Sequence, residues 1–214
     1  GFKSRGLGDV YKRQSEDVVE AAIVELAAER PYRTVLDLGT GTGRMLHLLS
    51  DDQVGRAVGL DSSHSMLAVA RSNLERAEVR RAELRQGDVY SPPLERNAFD
   101  LIVVHQVLHF LDDPARAIRE AAQLLAPGGR LLIVDFAPHS LEFLREEHAH
   151  RRLGFRDENI VAWLEQSGLD VGTCRTVEPP PDGQEQERLT VSLWTGVDPR
   201  PVINPIASEE VAAP

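Results

Sequence analysis

The residues best suited to chemistry fall in one short stretch. Val35-Leu-Asp-Leu-Gly-Thr-Gly-Thr-Gly43 places glycines at alternate positions directly after an apolar run. Residues without a Cβ let backbone amides approach a ligand closely, so Gly39, Gly41 and Gly43, with Thr40 between the first two, read as a binding loop. Asp37 stands two positions before Gly39, and Asp61 closes the next apolar run 18 residues after Gly43. That separation is near the roughly 20 residues at which an acid reaches a ribose diol. A glycine loop alone is weak evidence; a loop linked to such an acid is stronger. His105, His109 and His139 are candidate proton acceptors at neutral pH, and His105, just past a strong apolar run, leads among them. The alternative for His105 is a strand-end residue whose backbone alone meets the ligand.

The sign of the charge at the loop narrows its ligand. A carboxylate at Asp37 opposes a pyrophosphate but attracts a molecule carrying an ammonium and a sulfonium. The spacing is also Gly-x-Gly-x-Gly, not the Gly-x-Gly-x-x-Gly of nicotinamide enzymes, which makes a nicotinamide-dependent oxidoreductase the weaker reading. The start of the following helix near Arg44 is suited to the ligand's carboxylate. Elsewhere, Glu142, Glu146 and His150 would share one helical face at four-residue spacing. His-Glu-x-x-His is absent, however, so we expect no metal and instead a helix braced by pairs such as Glu147 with Arg151. Arg151 and Arg152 are candidates for an acidic acceptor.

The elements that must position these residues alternate. Val19, Ala22, Ile23 and Leu26 recur at helical spacing from a cap at Ser15 to Pro31. Strands are expected at Thr34 to Leu38, Ala57 to Leu60, Ala82 to Gln86, Phe99 to Val104 and Arg130 to Val134. Helices between them bury Met45, Leu48 and Leu49, then Met66, Leu67, Ala70 and Leu74 behind a cap at Ser62 or Ser63. A further helix opens at Asp113-Pro114, turns Ile118, Ala121, Ala122 and Leu125 inward, and ends at Gly128-Gly129. Helices from Ser140 to about Arg152 and from Asp157 to Gln166 follow. Val171 to Val177 and Arg188 to Trp194 are joined by a linker too short for a crossover helix, so they pair antiparallel. The fold class is α/β: a Rossmann-like, seven-stranded, mostly parallel sheet with a C-terminal antiparallel hairpin and helices on both faces.

The chain has 214 residues, enough for one domain, and a net charge of −10, which disfavours direct nucleic-acid binding and an anionic membrane surface. Cys174 stands alone, ruling out an intrachain disulfide framework, and no long apolar run spans a bilayer. We expect a cytoplasmic protein. Ser4 to Gln14, SRGLGDVYKRQ, resembles the translation of a transposase sequencing adapter, so residues 1–14 are set aside. The domain is expected over 15–195. Residues 196–214, with four prolines, read as a disordered tail.

With these residues in view, the sequence resembles the class I S-adenosylmethionine-dependent methyltransferases from about Val35 to Trp194. The loop is similar to the family's first motif, Gly59-Leu-Asp61 to its second, Gln86-Gly-Asp88-Val89 to its adenine-contact turn, and Leu125-Ala-Pro-Gly-Gly129 to the turn before strand five. The resemblance implies that Asp37, Gly39, Thr40, Gly41 and Gly43 hold the amino-acid end of S-adenosyl-L-methionine. It implies that Asp61 and Ser62 hold the ribose, and Asp88 and Val89 the adenine. His105 and Gln106 would line the methionine portion and the reacting methyl. Met66 reads equally as an adenine contact or as plain core. Val104-His-Gln-Val-Leu-His109, Val134-Asp-Phe-Ala-Pro-His139 and the run from Glu146 to Phe155 resemble, more closely, bacterial methyltransferase domains often joined to an arsenic-repressor-type winged helix. The given sequence does not itself contain such a module, and the adapter-like start is where one could have been severed.

The expected function is methylation of a small-molecule acceptor. The alternative is a cofactor-binding sensor domain of a transcriptional regulator. Arsenite is disfavoured because it needs several thiolates. A DNA-adenine acceptor is disfavoured because strand four lacks the Asn/Asp-Pro-Pro-aromatic clamp. Oligomeric state is left open.

Overall fold

The computed structural model describes residues 4–178 and 189–202, with side chains from Glu16 onward. In chain order the elements are α1 (Ser4–Ala28), β1 (Thr34–Leu38), α2 (Arg44–Leu49), β2 (Arg56–Asp61), α3 (His64–Arg76), β3 (Ala82–Gln86) and β4 (Phe99–His105). A 3-10 turn (Leu108–Phe110) follows, then α4 (Pro114–Leu124), β5 (Leu125–Phe136), α5 (Phe143–Glu147), α6 (Asp157–Gln166), β6 (Asp170–Val177) and β7 (Val191–Val197). The strands form one seven-stranded sheet in the order β3-β2-β1-β4-β5-β7-β6. The first five are parallel, and β7 lies antiparallel between β5 and β6. The expected fold class is therefore the observed one. Among the described residues no helix is long and apolar enough to cross a membrane.

Strand side chains alternate between two apolar layers, as a sheet covered on both faces requires. Leu36, Val58, Ile102, Val104 and Ile133 face α4 and α6, where Ile118, Ala121, Ile160 and Leu164 meet them. Val35, Ala57, Leu101, Val103 and Leu132 face α1 and α2 through Ile23, Leu26, Met45 and Leu46. The same alternation turns Asp37 and His105 toward the α1 face, because each follows residues of known side by one or two positions.

Arg130 was not singled out by pattern, yet it holds this second layer in place. Its side chain is buried and donates to three carbonyls at and beyond the end of α1: Leu26 O at 2.9 Å, Ala27 O at 2.7 Å and Arg30 O at 2.8 Å. Helix ends leave carbonyls unsatisfied, and a cation there also meets the negative end of the helix dipole. Arg130→Met keeps the stem but strips these acceptors. We expect a loss of about 2–4 kcal/mol, read as a lower urea midpoint at an unchanged slope.

Several elements differ from the sequence reading. α1 begins at Ser4, so Ser15 is not its cap. α4 stops at Leu124, and Leu125 starts β5 opposite Phe99 instead of completing the helix. The continuous helix expected from Ser140 to Arg152 is only one turn and a half, Phe143–Glu147, so Glu142, Glu146 and His150 do not share a helical face. Arg151 pairs with Asp112 at 2.6 Å, not with Glu147. β7 runs through Gly196 and Val197, and Asp198 is buried against Arg200, whose guanidinium also donates to Leu125 O at 2.8 Å. Arg188 as a strand start, residues 1–3 and the expected tail over 203–214 lie outside the described residues.

Candidate active site

The glycine loop is stapled to the end of β2. Gly39 N–H donates to Leu60 O at 2.8 Å and Thr40 N–H to the same oxygen at 2.9 Å. Gly39 has φ +78°, and a Cβ there would lie 2.4 Å from Val107 Cγ2, so the segment after β4 packs directly on the loop. Gly41 N–H donates to Asp61 Oδ2 at 2.9 Å, while Ser63 N–H donates to Asp61 Oδ1 at 2.9 Å. Asp61 thus ties the loop to the start of α3. Ser63, not Ser62, caps that helix, its Oγ accepting from Met66 N–H at 3.3 Å. The Ser62 carbonyl accepts from Gln86 Nε2 at 3.2 Å. Met66 is exposed, and its Cε lies 3.6 Å from where a Cβ on Gly41 would sit. Plain core is therefore the wrong reading of Met66; it leans over the loop.

Asp37 lies beneath these groups and is 2% exposed. Its Oδ2 accepts from the Thr40 hydroxyl at 2.7 Å, and its Oδ1 is buried without a partner among the described residues. Burial pushes the Asp37 carboxyl up to about 7; the Thr40 bond opposes this and the Asp61 charge adds to it. A buried polar atom without a partner is rare and calls for an occupant. Here the missing partner is a hydrogen-bond donor, and a cationic one would also relieve the buried charge.

The remaining predicted residues sit on the neighbouring strand ends. Gly87 N–H donates to Asp61 O at 3.0 Å, which sets the turn of Asp88 and Val89 beside β2. Asp88 is exposed, its Oδ1 accepting from Tyr90 N–H at 2.9 Å, and Val89 packs on the core. Gln106 adopts φ +54°, a left-handed conformation costly for a residue with a side chain, and donates N–H to Val134 O at 2.7 Å. Burial lowers the His105 pKa, with Asp135 and then Glu20 pulling it back up. Its ring is neutral at pH 7 and competent to accept a proton. Glu20 itself is held by Arg44, at 2.7 and 2.6 Å.

Gly43 N–H donates to Thr40 O at 2.8 Å, so the loop residues Asp37, Gly39, Thr40, Gly41 and Gly43, together with Asp61, Ser62 and Met66, are joined through hydrogen bonds, contacts or chain adjacency, with His105 at the end of β4 and Gln106, Asp88 and Val89 on flanking turns. Among the described residues no three His, Cys, Asp or Glu side chains are grouped to hold a metal ion. One pair escaped sequence reasoning: His109 Nδ1 stands 2.8 Å from Asp135 Oδ1, both side chains buried. The available signal was Asp135 itself, a charge in an otherwise apolar strand, which requires a partner.

Residues 36–133 match the family described as the methyltransferase domain. Over 118 residues, 54% of this chain and 52% of the relative, the sequence is 36% identical to a demethylmenaquinone methyltransferase of Thermus thermophilus. A demethylmenaquinone methyltransferase of Lactococcus lactis is 29% identical over 176 residues, 77% of this chain and 70% of that protein. Curated relatives such as the Thermus protein are matched over about half their length. The fold is that of an S-adenosylmethionine dependent methyltransferase structure from Mesorhizobium loti, with TM-score 0.68, 19% identity, and coverage of 83% of this chain and 97% of that one.

Proposed function

We propose that this chain, which carries a methyltransferase domain, transfers a methyl group from S-adenosyl-L-methionine to a small-molecule acceptor in the cytoplasm. The observation that carries the reading is the unpartnered Oδ1 of Asp37, buried under a glycine loop whose neighbour Asp61 faces the same turn. When bound, the donor supplies a methyl group activated by a sulfonium, so the protein has mainly to align, exclude water and manage a proton.

Asp37 receives the donor's ammonium, and Gly39, Thr40, Gly41 and Gly43 supply close backbone approach at the amino-acid end. Asp61 keeps lone pairs beyond its two backbone bonds for the ribose hydroxyls, with Ser62 beside it. Met66 covers one face of the adenine, while Asp88 and Val89 meet its edge. Gln106 and His105 line the methionine end, with His105 a neutral candidate base. The names of the two curated relatives, both of which act on demethylmenaquinone, support a small organic acceptor. The net charge of −10 argues against a nucleic acid.

Calorimetry is the direct test. S-adenosylmethionine and its demethylated product S-adenosylhomocysteine are expected to bind and NAD not to. Equal or tighter binding of NAD would overturn the assignment.

A further inference from the structure

We propose that His109, Asp135 and the strap from Ala137 to Phe155 form the acceptor site for a planar ring bearing a hydroxyl, and that His109 takes the hydroxyl proton. This rests on the methyl-transfer reading and names the acceptor class and the proton-handling residue within it.

The pair is built to fix one form of the imidazole. His109 is 2% exposed and Asp135 fully buried. Asp135 Oδ1 faces His109 Nδ1 at 2.8 Å and also accepts from Phe136 N–H at 2.8 Å, while Oδ2 accepts from His109 N–H at 3.3 Å. A carboxylate held this way places the proton on Nδ1 and leaves the Nε2 lone pair free to act as a base. Among the described residues His105 has no such partner, so of the two histidines His109 is better equipped to hold a proton and have the charge balanced.

The surroundings define what it acts on. The His109 ring lies 4.0 Å from Phe110, 4.1 Å from His150 and 5.0 Å from Phe136, centroid to centroid. His150 stacks on Phe136 at 14° and 5.9 Å. His139 meets the same Phe136 edge-on. Flat faces of this kind favour a planar guest. Two ring nitrogens contributed by the strap, His139 Nε2 and His150 Nδ1, are buried and have no hydrogen-bond partner among the described residues. Burial lowers the pKa of both rings, so they are neutral. Buried unpaired polar atoms are costly, so two in one aromatic cluster point to a guest with polar substituents.

The strap is anchored over His109. The N–H groups of Arg151 and Arg152 donate to His109 O at 2.9 and 3.1 Å, and Arg152 donates to Asp112 O at 2.8 Å. Gly154, at φ +81°, permits the return, since a Cβ there would lie 2.1 Å from Ala137 O. Val107 packs on Gly39 two residues before His109, which sets this cluster beside the donor loop. In the proposed step the guest's O–H bond breaks, the proton bonds to Nε2, and the electron pair stays on oxygen. Asp135 balances the imidazolium until the proton passes to water.

Catechol and 1-naphthol are suitable probes. In wild-type protein saturated with S-adenosylhomocysteine, ring 15N spectra should show His109 as the Nδ1–H form, and adding a probe should shift its Nε2 resonance. His109→Gln should keep donor affinity within about threefold and lower kcat for probe methylation at least 100-fold, with KM for the probe changed little. If donor and product fail to bind, the methyl-transfer reading falls and this reaction with it. If they bind but neither probe does, or if His109→Gln methylates the probes at the wild-type rate, this proposal alone is overturned.

Discussion

Asp37→Asn should stabilise the free protein at pH 8 while sharply weakening its grip on the methyl donor. The folded carboxyl sits at about 7, against an ordinary 3.8. Between those values the folded state holds a proton that the unfolded chain has released. Stability contributed by this group is therefore fully present below about pH 4 and lost as pH rises toward 7. The gap of about three units corresponds to at most about 4 kcal/mol. Asparagine carries no charge and its amide oxygen still accepts from the Thr40 hydroxyl, so the variant escapes this penalty. Its melting temperature should exceed that of the wild type by several degrees at pH 8 and match it at pH 4. Donor binding moves the other way. Without the carboxylate the ammonium has no counter-charge in a buried site, and affinity should fall at least about 100-fold, or roughly 2.7 kcal/mol. Proton linkage supplies an independent check. A bound cation stabilises ionised Asp37, so wild-type protein at pH 6 should release a proton on binding, seen by calorimetry in buffers of different ionisation enthalpy. The asparagine variant should release none. Unchanged affinity in the variant would remove Asp37 from the donor site.

The parts of this protein that were legible in its sequence are those governed by local rules. Strand and helix periods gave the α/β alternation because both faces of the sheet's centre are covered and the central strands β1, β2, β4 and β5 carry apolar runs. Asp113-Pro114 marked the start of α4, and the Asp113 side chain does accept from Arg116 N–H. The glycine loop was legible because its positive φ angles admit few other residues. What sequence could not supply were long-range choices. Leu125 fits the apolar face of α4 by period, yet pairing with Phe99 claims it for β5. The helical spacing of Glu142, Glu146 and His150 was outweighed when burial drew His150 into the aromatic cluster and left the two glutamates exposed. Arg130 caps α1 from 100 or more residues away, a partnership no window of sequence contains.

Asp61 separates bracing from binding, and the two roles predict different things. Its oxygens already accept from Gly41 N–H and Ser63 N–H, so Asp61→Ala leaves two partly buried donors without partners. A stability cost of about 1–2 kcal/mol follows from that alone, enough to lower the melting temperature by several degrees without preventing folding. Donor affinity should also fall, by about 50-fold or more, but a loosened loop would produce some of that loss even if Asp61 never touched the ligand. A double-mutant cycle isolates the contact. Wild-type protein should bind the 2′-deoxy form of S-adenosylhomocysteine about tenfold more weakly than the parent compound, whereas the alanine variant should bind the two alike. Should the wild type fail to distinguish them, Asp61 would be a brace for the glycine loop, and the ribose would be held elsewhere on the same strand end.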